Sequence, residues 1–321
     1  MERNIDQEPA PQIPVQNLAS NQIPVQNLAA RTSTVAHGSH DNYKGKGPEG
    51  SEGRCALDMR NTTITKQQID QLVGVSLVFV VVYVDDIILT GTDVNEIRSL
   101  KSFLHDQFKI KDLGKLHYFL GLEILYKDTG VLISQRKFTT DLLKEFDCTS
   151  CKPSMSPLEP TVKFKANEGA LLKDPTFYRK LVGKLNFLTN TRLDITFSVQ
   201  HLSQFLQSPR EPHLKAAYHV LRYLMNDPCL GVFLSNSTDC TITAYCDSDW
   251  AACPDSRRSV SGYIVLMGDS PICWKSKKQA TISLSSAEAE YRAIRKVVGE
   301  LVWLEKLLTE LHSPCNLPLA D

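Results

Sequence analysis

From Leu77 to Val84 almost every position is apolar, Leu-Val-Phe-Val-Val-Val-Tyr-Val, and a second run, Ile87-Ile-Leu89, follows Asp85-Asp86 and leads into Thr90-Gly91. β-Branched and aromatic residues at this density predict strands, and two turn-forming acids between them predict a hairpin. The wider run from Leu72 to Val84 reads as a buried strand. It is broken by Gly74 and Ser76 and falls short of the roughly 20 apolar residues of a membrane-spanning helix. Extending such a helix to Leu89 would place two carboxylates near its centre, at about 2.5–3.5 kcal/mol each. The period then changes: Asp93 stands three residues before Glu96, a capping-box-like start, and Ile97, Leu100, Leu104 and Phe108 recur at helical spacing. A helix of about 15 residues should cover the hairpin. Short strands are expected at His117 to Leu125 and Val131 to Ser134, on either side of the turn-like Lys127-Asp-Thr-Gly130.

Pro153, Pro157 and Pro160 interrupt regular structure and mark a boundary between lobes. Beyond them the helical period takes over in three stretches: Phe177, Leu181, Leu185, Leu188; Val199, Leu202, Leu206; and Leu214, Ala217, Leu221, Leu224. Asp174-Pro175 and Glu211-Pro212 supply starts for two of these helices. Strands return at Thr241 to Cys246, Gly262 to Met267 and Pro271 to Trp274, and a long helix is expected from Ser286 to about Leu311. The fold class is therefore α+β. Residues 1–70 differ in kind: a near-duplicate, Gln12-Ile-Pro-Val-Gln-Asn-Leu-Ala19 and Gln22 to Ala29, precedes a polar stretch rich in Gly, Ser, Lys and Glu. Two copies are too few to stack as a solenoid, so a disordered or low-complexity leader is expected, without chemistry.

The chain has 321 residues with 36 basic and 36 acidic side chains, so no global field draws in a polyanion and any such contact must be local. Nothing at the start resembles a secretory signal, which makes a reducing, intracellular setting the expectation, cytoplasmic or nuclear and not membrane-bound. Its nine cysteines are then expected as thiols. Cys148-Thr-Ser-Cys151 has a ligand-like spacing, but no second pair follows at the distance a zinc site requires.

Two groups of carboxylates could carry chemistry. Asp85-Asp86, at the tip of an apolar hairpin, could hold Mg²⁺ that also binds the phosphates of an incoming nucleotide; the plain alternative is a polar turn. The second group is Asp247 and Asp249, in Tyr245-Cys-Asp-Ser-Asp-Trp250, with Glu288 and Glu290 in the following helix. Glu288 has capping-box spacing from Ser285 and shares a face with Arg292 and Arg295, so it reads as a structural acid. Glu290 aligns with Ile294, Val297 and Leu301, and a carboxylate on an apolar edge needs a reason such as a metal. Asp247 continues its strand and is preferred to Asp249. Arg257, Arg258, Lys275, Lys277 and Lys278 are enriched nearby and suggest phosphate contact, with a solvated charge run as the alternative. Trp250, Trp274 and Trp303 read as core rather than base-stacking residues, and His117 and His219 as structural. Lys109 to Gly114 either brings lysines toward a nucleotide or ends a helix at glycine.

Taken in order, these pieces resemble the Pol polyprotein of copia-type LTR retrotransposons. The likeness rests on Tyr83-Val-Asp-Asp-Ile-Ile-Leu-Thr-Gly91, Lys111-Asp-Leu-Gly-Lys-Leu-His-Tyr-Phe-Leu-Gly121, Ile133-Ser-Gln-Arg-Lys-Phe138 and Tyr178-Arg-Lys-Leu-Val-Gly183. It continues with His219-Val-Leu-Arg-Tyr-Leu224, Cys246-Asp-Ser-Asp-Trp-Ala251, Arg257-Arg-Ser-Val-Ser-Gly262 and Ser285-Ser-Ala-Glu-Ala-Glu-Tyr291. The resemblance implies a partial reverse transcriptase palm over 71–134, a helical thumb and connection over 135–235, and a partial RNase H-like α/β domain over 236–321. By that likeness Asp85 and Asp86 are polymerase metal ligands, and Asp247 and Glu290 are the first two acids of an RNase H site. Mg²⁺ is the implied cofactor; RNA template, DNA primer, RNA–DNA hybrid and deoxynucleotides are the implied partners. The family also has fingers and a first palm segment with another metal-binding Asp before the position of residue 71, and further RNase H acids beyond the position of the last residue. Neither is read in this chain. Leu193 replaces the family's usual Pro, and Ala251-Ala252 stands where Gly is common. The expectation is a catalytically impaired Pol portion, with a non-catalytic nucleic-acid-binding protein as the competing class.

Overall fold

The computed structural model describes residues 14–17, 77–84, 86–159 and 161–311. The described residues divide into two compact units, the first reaching Lys115 and the second beginning at Leu116.

In the first unit, β1 (Pro14–Asn17), β2 (Val78–Tyr83), β3 (Asp86–Gly91) and β4 (Lys111–Lys115) form one sheet in the order β2-β3-β1-β4. β2 and β3 are the expected hairpin, antiparallel with Tyr83 opposite Asp86, while β1 runs parallel to β3 and β4. β1 lies inside the first copy of the N-terminal repeat; the rest of 1–70 lies outside the described residues. The expectation of a buried strand is corrected: β2 is a sheet edge, with Val80 and Val82 exposed at 48% and 63%, and burial falls instead on Ile87, Ile88 and Leu89 of β3. An edge strand has a neighbour on one side only, and β3 takes the central position.

Helix α1 (Val94–Phe108) begins where predicted, because Asp93 Oδ1 accepts from the amides of Asn95 at 2.8 Å and Glu96 at 3.1 Å. It ends at Lys109, whose φ of 55° is left-handed, so Gly114 is not the cap the sequence allowed. Ile97 of the helix packs with Ile87, Leu89 and Ile110, flanked by Val78, Leu100 and Leu104.

In the second unit, β5 (Tyr118–Phe119), β6 (Leu122–Lys127), β7 (Gly130–Ser134) and β8 (Val232–Ser235) form an antiparallel sheet in chain order. α2 (Arg136–Glu145), α3 (Thr176–Leu188), α4 (Thr196–Ser203) and α5 (Glu211–Leu224) build the helical lobe, with a 3₁₀ turn at Leu193–Ile195. Leu181, Leu185, Leu188, Val199, Leu202, Leu221 and Leu224 are buried there, as the period required. Each such side chain contributes about 1.5–3 kcal/mol. Tyr178 is fully enclosed and its hydroxyl donates to Leu202 O at 2.8 Å.

The last sheet, in the order β11-β10-β9, comprises β9 (Ile242–Asp249), β10 (Val260–Met267) and β11 (Ser270–Lys278), all antiparallel. The long helix α6 (Ser286–Glu310) lies on it, packing Val297, Leu304 and Leu308 on Ile242, Val265, Met267 and Ile272. Among the described residues no helix is long and apolar enough to cross a membrane, and the seven cysteines are free thiols.

Candidate functional site

The hairpin sets Asp86 at the first position of β3, half-buried and opposite Tyr83; Asp85 lies outside the described residues. Val84 at the tip has a φ of 49°, a conformation strained for a β-branched residue, and is 78% exposed. The buried Ile87 to Leu89 directly beyond hold this tip against the sheet.

On β9 the side chains alternate. Ile242, Ala244 and Cys246 belong to the core under α6, and by the two-residue period Tyr245, Asp247 and Asp249 take the opposite face. There Asp247 and Asp249 line a cleft of about 420 Å³ with Tyr245, Phe197 and Trp274. Asp247 is exposed and Glu290 half-buried on α6, and the Cys246 thiol is raised above its ordinary pKa by burial first and then by the charges of Glu290 and Asp247. Both carboxylates thus act on one sulfur, although they approach it from different elements. Neither forms an ion pair among the described residues.

Glu288 is occupied otherwise, as the sequence predicts. Its Oε2 accepts from Leu284 N at 2.7 Å and its Oε1 from Arg292 Nη2 at 2.6 Å, while its own amide donates to Ser285 Oγ at 3.1 Å. The Leu284 amide, helped by Arg292, holds this carboxyl below its ordinary pKa.

Sequence reasoning missed Gln279. Its buried side-chain amide nitrogen lies 3.1 Å from Ser248 Oγ, 2.9 Å from Ser261 Oγ and 3.0 Å from Ala289 O, and its oxygen accepts from Ser283 Oγ at 2.8 Å. Ser248 follows Asp247 and Ala289 precedes Glu290, so one side chain ties together the backbones that carry the two acids. A polar residue ending a strand after Lys275 to Lys278 gave no sequence signal for this role, since its partners come from three other segments.

Of the predicted basic residues, Arg257, Arg258, Lys275 and Lys277 are exposed, and Lys278 is half-buried with its Nζ 3.5 Å from Cys253 Sγ. Trp274 donates to Thr189 O at 2.9 Å, Trp303 packs beside the α6 core, and Trp250 donates to Ser283 O at 3.0 Å. Trp250 is nevertheless 49% exposed, which corrects its reading as a core residue: the turn after β9 leaves one ring face uncovered. His219 lies 2.6 Å from Ser154 Oγ, and His117 sets its edge on the Tyr126 ring, both structural contacts.

Mg²⁺ is commonly held by one or two carboxylates and retained waters. Asp247 faces away from α6 into the cleft and Glu290 stands on α6, so the structure does not bring these two acids onto one face of the sheet. Among the described residues no three His, Cys, Asp or Glu side chains converge on one metal position.

Residues 59–160 match the family model described as reverse transcriptase (RNA-dependent DNA polymerase). The chain is 43% identical over 238 residues to the retrovirus-related Pol polyprotein from transposon RE1 of Arabidopsis thaliana, covering 74% of this chain and 16% of that protein. It is 32% identical over 251 residues to the Pol polyprotein from transposon TNT 1-94 of Nicotiana tabacum, covering 74% of this chain and 18% of that protein. An uncharacterized mitochondrial protein of Arabidopsis thaliana is 36% identical over 225 residues, 70% of this chain and 93% of its own length. This chain therefore spans less than a fifth of the length of the two Pol polyproteins. No solved structure matches it.

Proposed function

The chain belongs to the Pol polyprotein family of copia-type retrotransposons and carries its reverse transcriptase region, and from that premise we propose two chemistries on one chain: RNA-directed DNA synthesis at Asp85 and Asp86, and cleavage of RNA in RNA–DNA hybrids at Asp247 and Glu290. The observation that carries the second is the pair of acids itself. Both lie near Cys246, neither forms an ion pair among the described residues, and the neighbouring Glu288 is bonded to Arg292 and the Leu284 amide. Residues 236–321 are read as RNase H-like on that basis, with 71–134 as palm and 135–235 as thumb and connection.

For the hydrolytic reaction the family resemblance assigns Mg²⁺ to Asp247 and Glu290, and the ion when bound would supply Lewis-acid stabilisation and ease deprotonation of water. The chain's own part is to fix the segments that carry the two carboxylates. Gln279 does the fixing through Ser248 and the Ala289 carbonyl. In the synthetic reaction Asp85 and Asp86 would hold the cation near the phosphates of an incoming deoxynucleotide. The buried Ile87 to Leu89 anchor that hairpin. RNA template, DNA primer and hybrid would be recognised mainly through shape, phosphate and 2′-hydroxyl contacts. Arg257 and Arg258, both exposed, and Lys278 are the candidate phosphate contacts.

A second reading, a nucleic-acid-binding protein without catalysis, is favoured by the exposure of this basic surface. One experiment separates them. The purified chain is incubated with a labelled primed RNA template, deoxynucleotides and Mg²⁺, beside Asp85→Asn and Asp247→Asn. Extension lost only in Asp85→Asn and RNA cleavage lost only in Asp247→Asn are the expected outcome. Salt-sensitive hybrid binding without either product, from folded protein, would overturn the enzymatic reading in favour of the binder.

A further inference from the structure

The cleft on the open face of the last sheet has a floor that one residue leaves bare. The strands pair so that Gly262 of β10 lies between Asp247 of β9 and Ser276 of β11, and Ile264 lies between Tyr245 and Trp274. All six residues line the cleft. Nothing in the backbone requires glycine at 262: its φ is not left-handed, and a Cβ built there would meet only Lys275 O, at 4.0 Å. Glycine inside a strand weakens it and often marks the close approach of another group. Here the missing side chain hollows the centre of the sheet face.

Ser276 is a second sign of a ligand. It is 9% exposed, shares the face of Trp274 by the alternation of β11, and its hydroxyl makes no hydrogen bond among the described residues. A buried hydroxyl without a partner is costly unless something else supplies one. The walls are aromatic. Tyr245 and Phe197 are exposed, and Trp274 is fixed by its bond to Thr189 O. Apolar walls around a volume of about 420 Å³, with a few convergent polar groups, are the properties of a small-ligand site.

The polar groups narrow the ligand. Unpaired bases are recognised by stacking on aromatic side chains and by hydrogen bonds to their edges. A carboxylate offers two adjacent acceptors. Guanine presents two adjacent donors, N1–H and the 2-amino group, whereas adenine, cytosine and uracil alternate donors with acceptors along the same edge. A hydroxyl on the far side of the ring can donate to guanine N7.

We propose that this cleft binds a guanine base, seated over Gly262 between Asp247 and Ser276, with its ring against Tyr245 and Trp274. The base belongs either to a free nucleotide or to an unpaired nucleotide of a strand. The proposal does not depend on hybrid cleavage, and a cation at Asp247 would compete with the base for one carboxylate.

The test is saturation-transfer NMR of the full chain with guanosine 5′-monophosphate, beside the inosine, adenosine and cytidine monophosphates. The guanosine nucleotide should bind, the inosine nucleotide, which lacks the 2-amino group, about tenfold more weakly, and the other two more weakly still. Gly262→Val fills the cleft without touching an acid. It creates no close backbone contact and suits a strand, so it should melt no lower than the wild type yet lose binding. Ser276→Ala should weaken binding several-fold, and Asp247→Asn should erase the preference for guanosine over inosine. Equal binding of all four nucleotides, unchanged binding in Gly262→Val, or no binding to the folded wild type overturns the proposal. If Gly262→Val does not fold, the guanosine-to-inosine ratio in Asp247→Asn decides. N-acetylarginine amide bound more tightly than the guanosine nucleotide, and lost in Gly262→Val, would give the cleft to the arginine of a protein partner and overturn the proposal too. With guanine selectivity established, a single-stranded hexanucleotide containing one guanosine identifies the source: affinity about tenfold above that of the free nucleotide assigns the base to a strand, and equal affinity assigns it to the nucleotide.

Discussion

Ala251 has a φ of 50°, a backbone conformation that costs an L side chain about 1–2 kcal/mol and glycine far less. The chain turns sharply here after β9, and the Ala251 amide donates to Ser259 Oγ at 3.1 Å. Ala251→Gly should therefore stabilise the protein by about 0.5–1 kcal/mol, after the extra entropy of an unfolded glycine is subtracted. A urea midpoint unchanged or lowered by the substitution would refute this. The two glutamates of α6 are a second comparison at this scale. Glu290→Gln should abolish Mg²⁺-dependent hybrid cleavage, whereas Glu288→Gln should leave it while loosening the first turn of the helix. Cleavage lost equally in both variants would mean that sequence spacing and hydrogen bonding had assigned the wrong acid.

Elements whose signals are local were legible. Asp93 and Ser285 cap the two helices they were expected to start, and the two apolar runs pair as the expected hairpin. Helix α2 was not foreseen. Its N-cap, Gln135, makes no side-chain capping bond, Thr139 and Thr140 interrupt the run of helix formers, and it forms because Leu142 and Leu143 are buried in the helical lobe. β2 was misread for the related reason that a run of valines carries no record of which neighbours it will have; as an edge strand it exposes Val80 and Val82. Gln279 was illegible because its partners, Ser248, Ser261 and Ala289, belong to β9, β10 and α6. Its replacement is thus a test of how elements hold one another. Gln279→Ala leaves several buried polar groups unsatisfied and should cost about 2–3 kcal/mol. Hybrid cleavage should fall as well, with a larger loss in kcat than in KM, because the two acids remain but are no longer held in register. Loss of stability with cleavage unchanged would reduce Gln279 to a packing residue.

At the scale of the whole chain, pairing between distant segments decides the architecture. β7 pairs with β8, Val131 opposite Leu234, so Leu116–Ser134 folds within the second unit; no pattern in either segment announces the other. Gly231 permits the approach, since a Cβ there would lie 2.2 Å from Ile133 O. The same unit contains a titratable core with a stability consequence. His213 is completely buried: its Nδ1 accepts from the Arg210 amide at 3.1 Å, its Nε2 lies 3.1 Å from Lys165 O, and its ring stacks on Phe205. His201 lies between Phe164, Phe197 and Phe205. Burial is the first cause that depresses both imidazoles below 6.5; Lys278 and His213 add to it at His201, and at His213 Arg210 adds to it while the Lys165 carbonyl and Asp255 oppose it. A depressed folded-state value means that the unfolded chain binds protons first as pH falls, so stability declines below about pH 6.5, and the decline ends below the folded values. The urea midpoint should consequently drop between pH 7.5 and 5.5, a window above that in which the carboxylates titrate. His201→Phe should reduce the drop, because one of the two groups that take up protons on unfolding is absent. An identical drop in wild type and variant would place the pH dependence elsewhere and show that the aromatic cage does not hold His201 neutral.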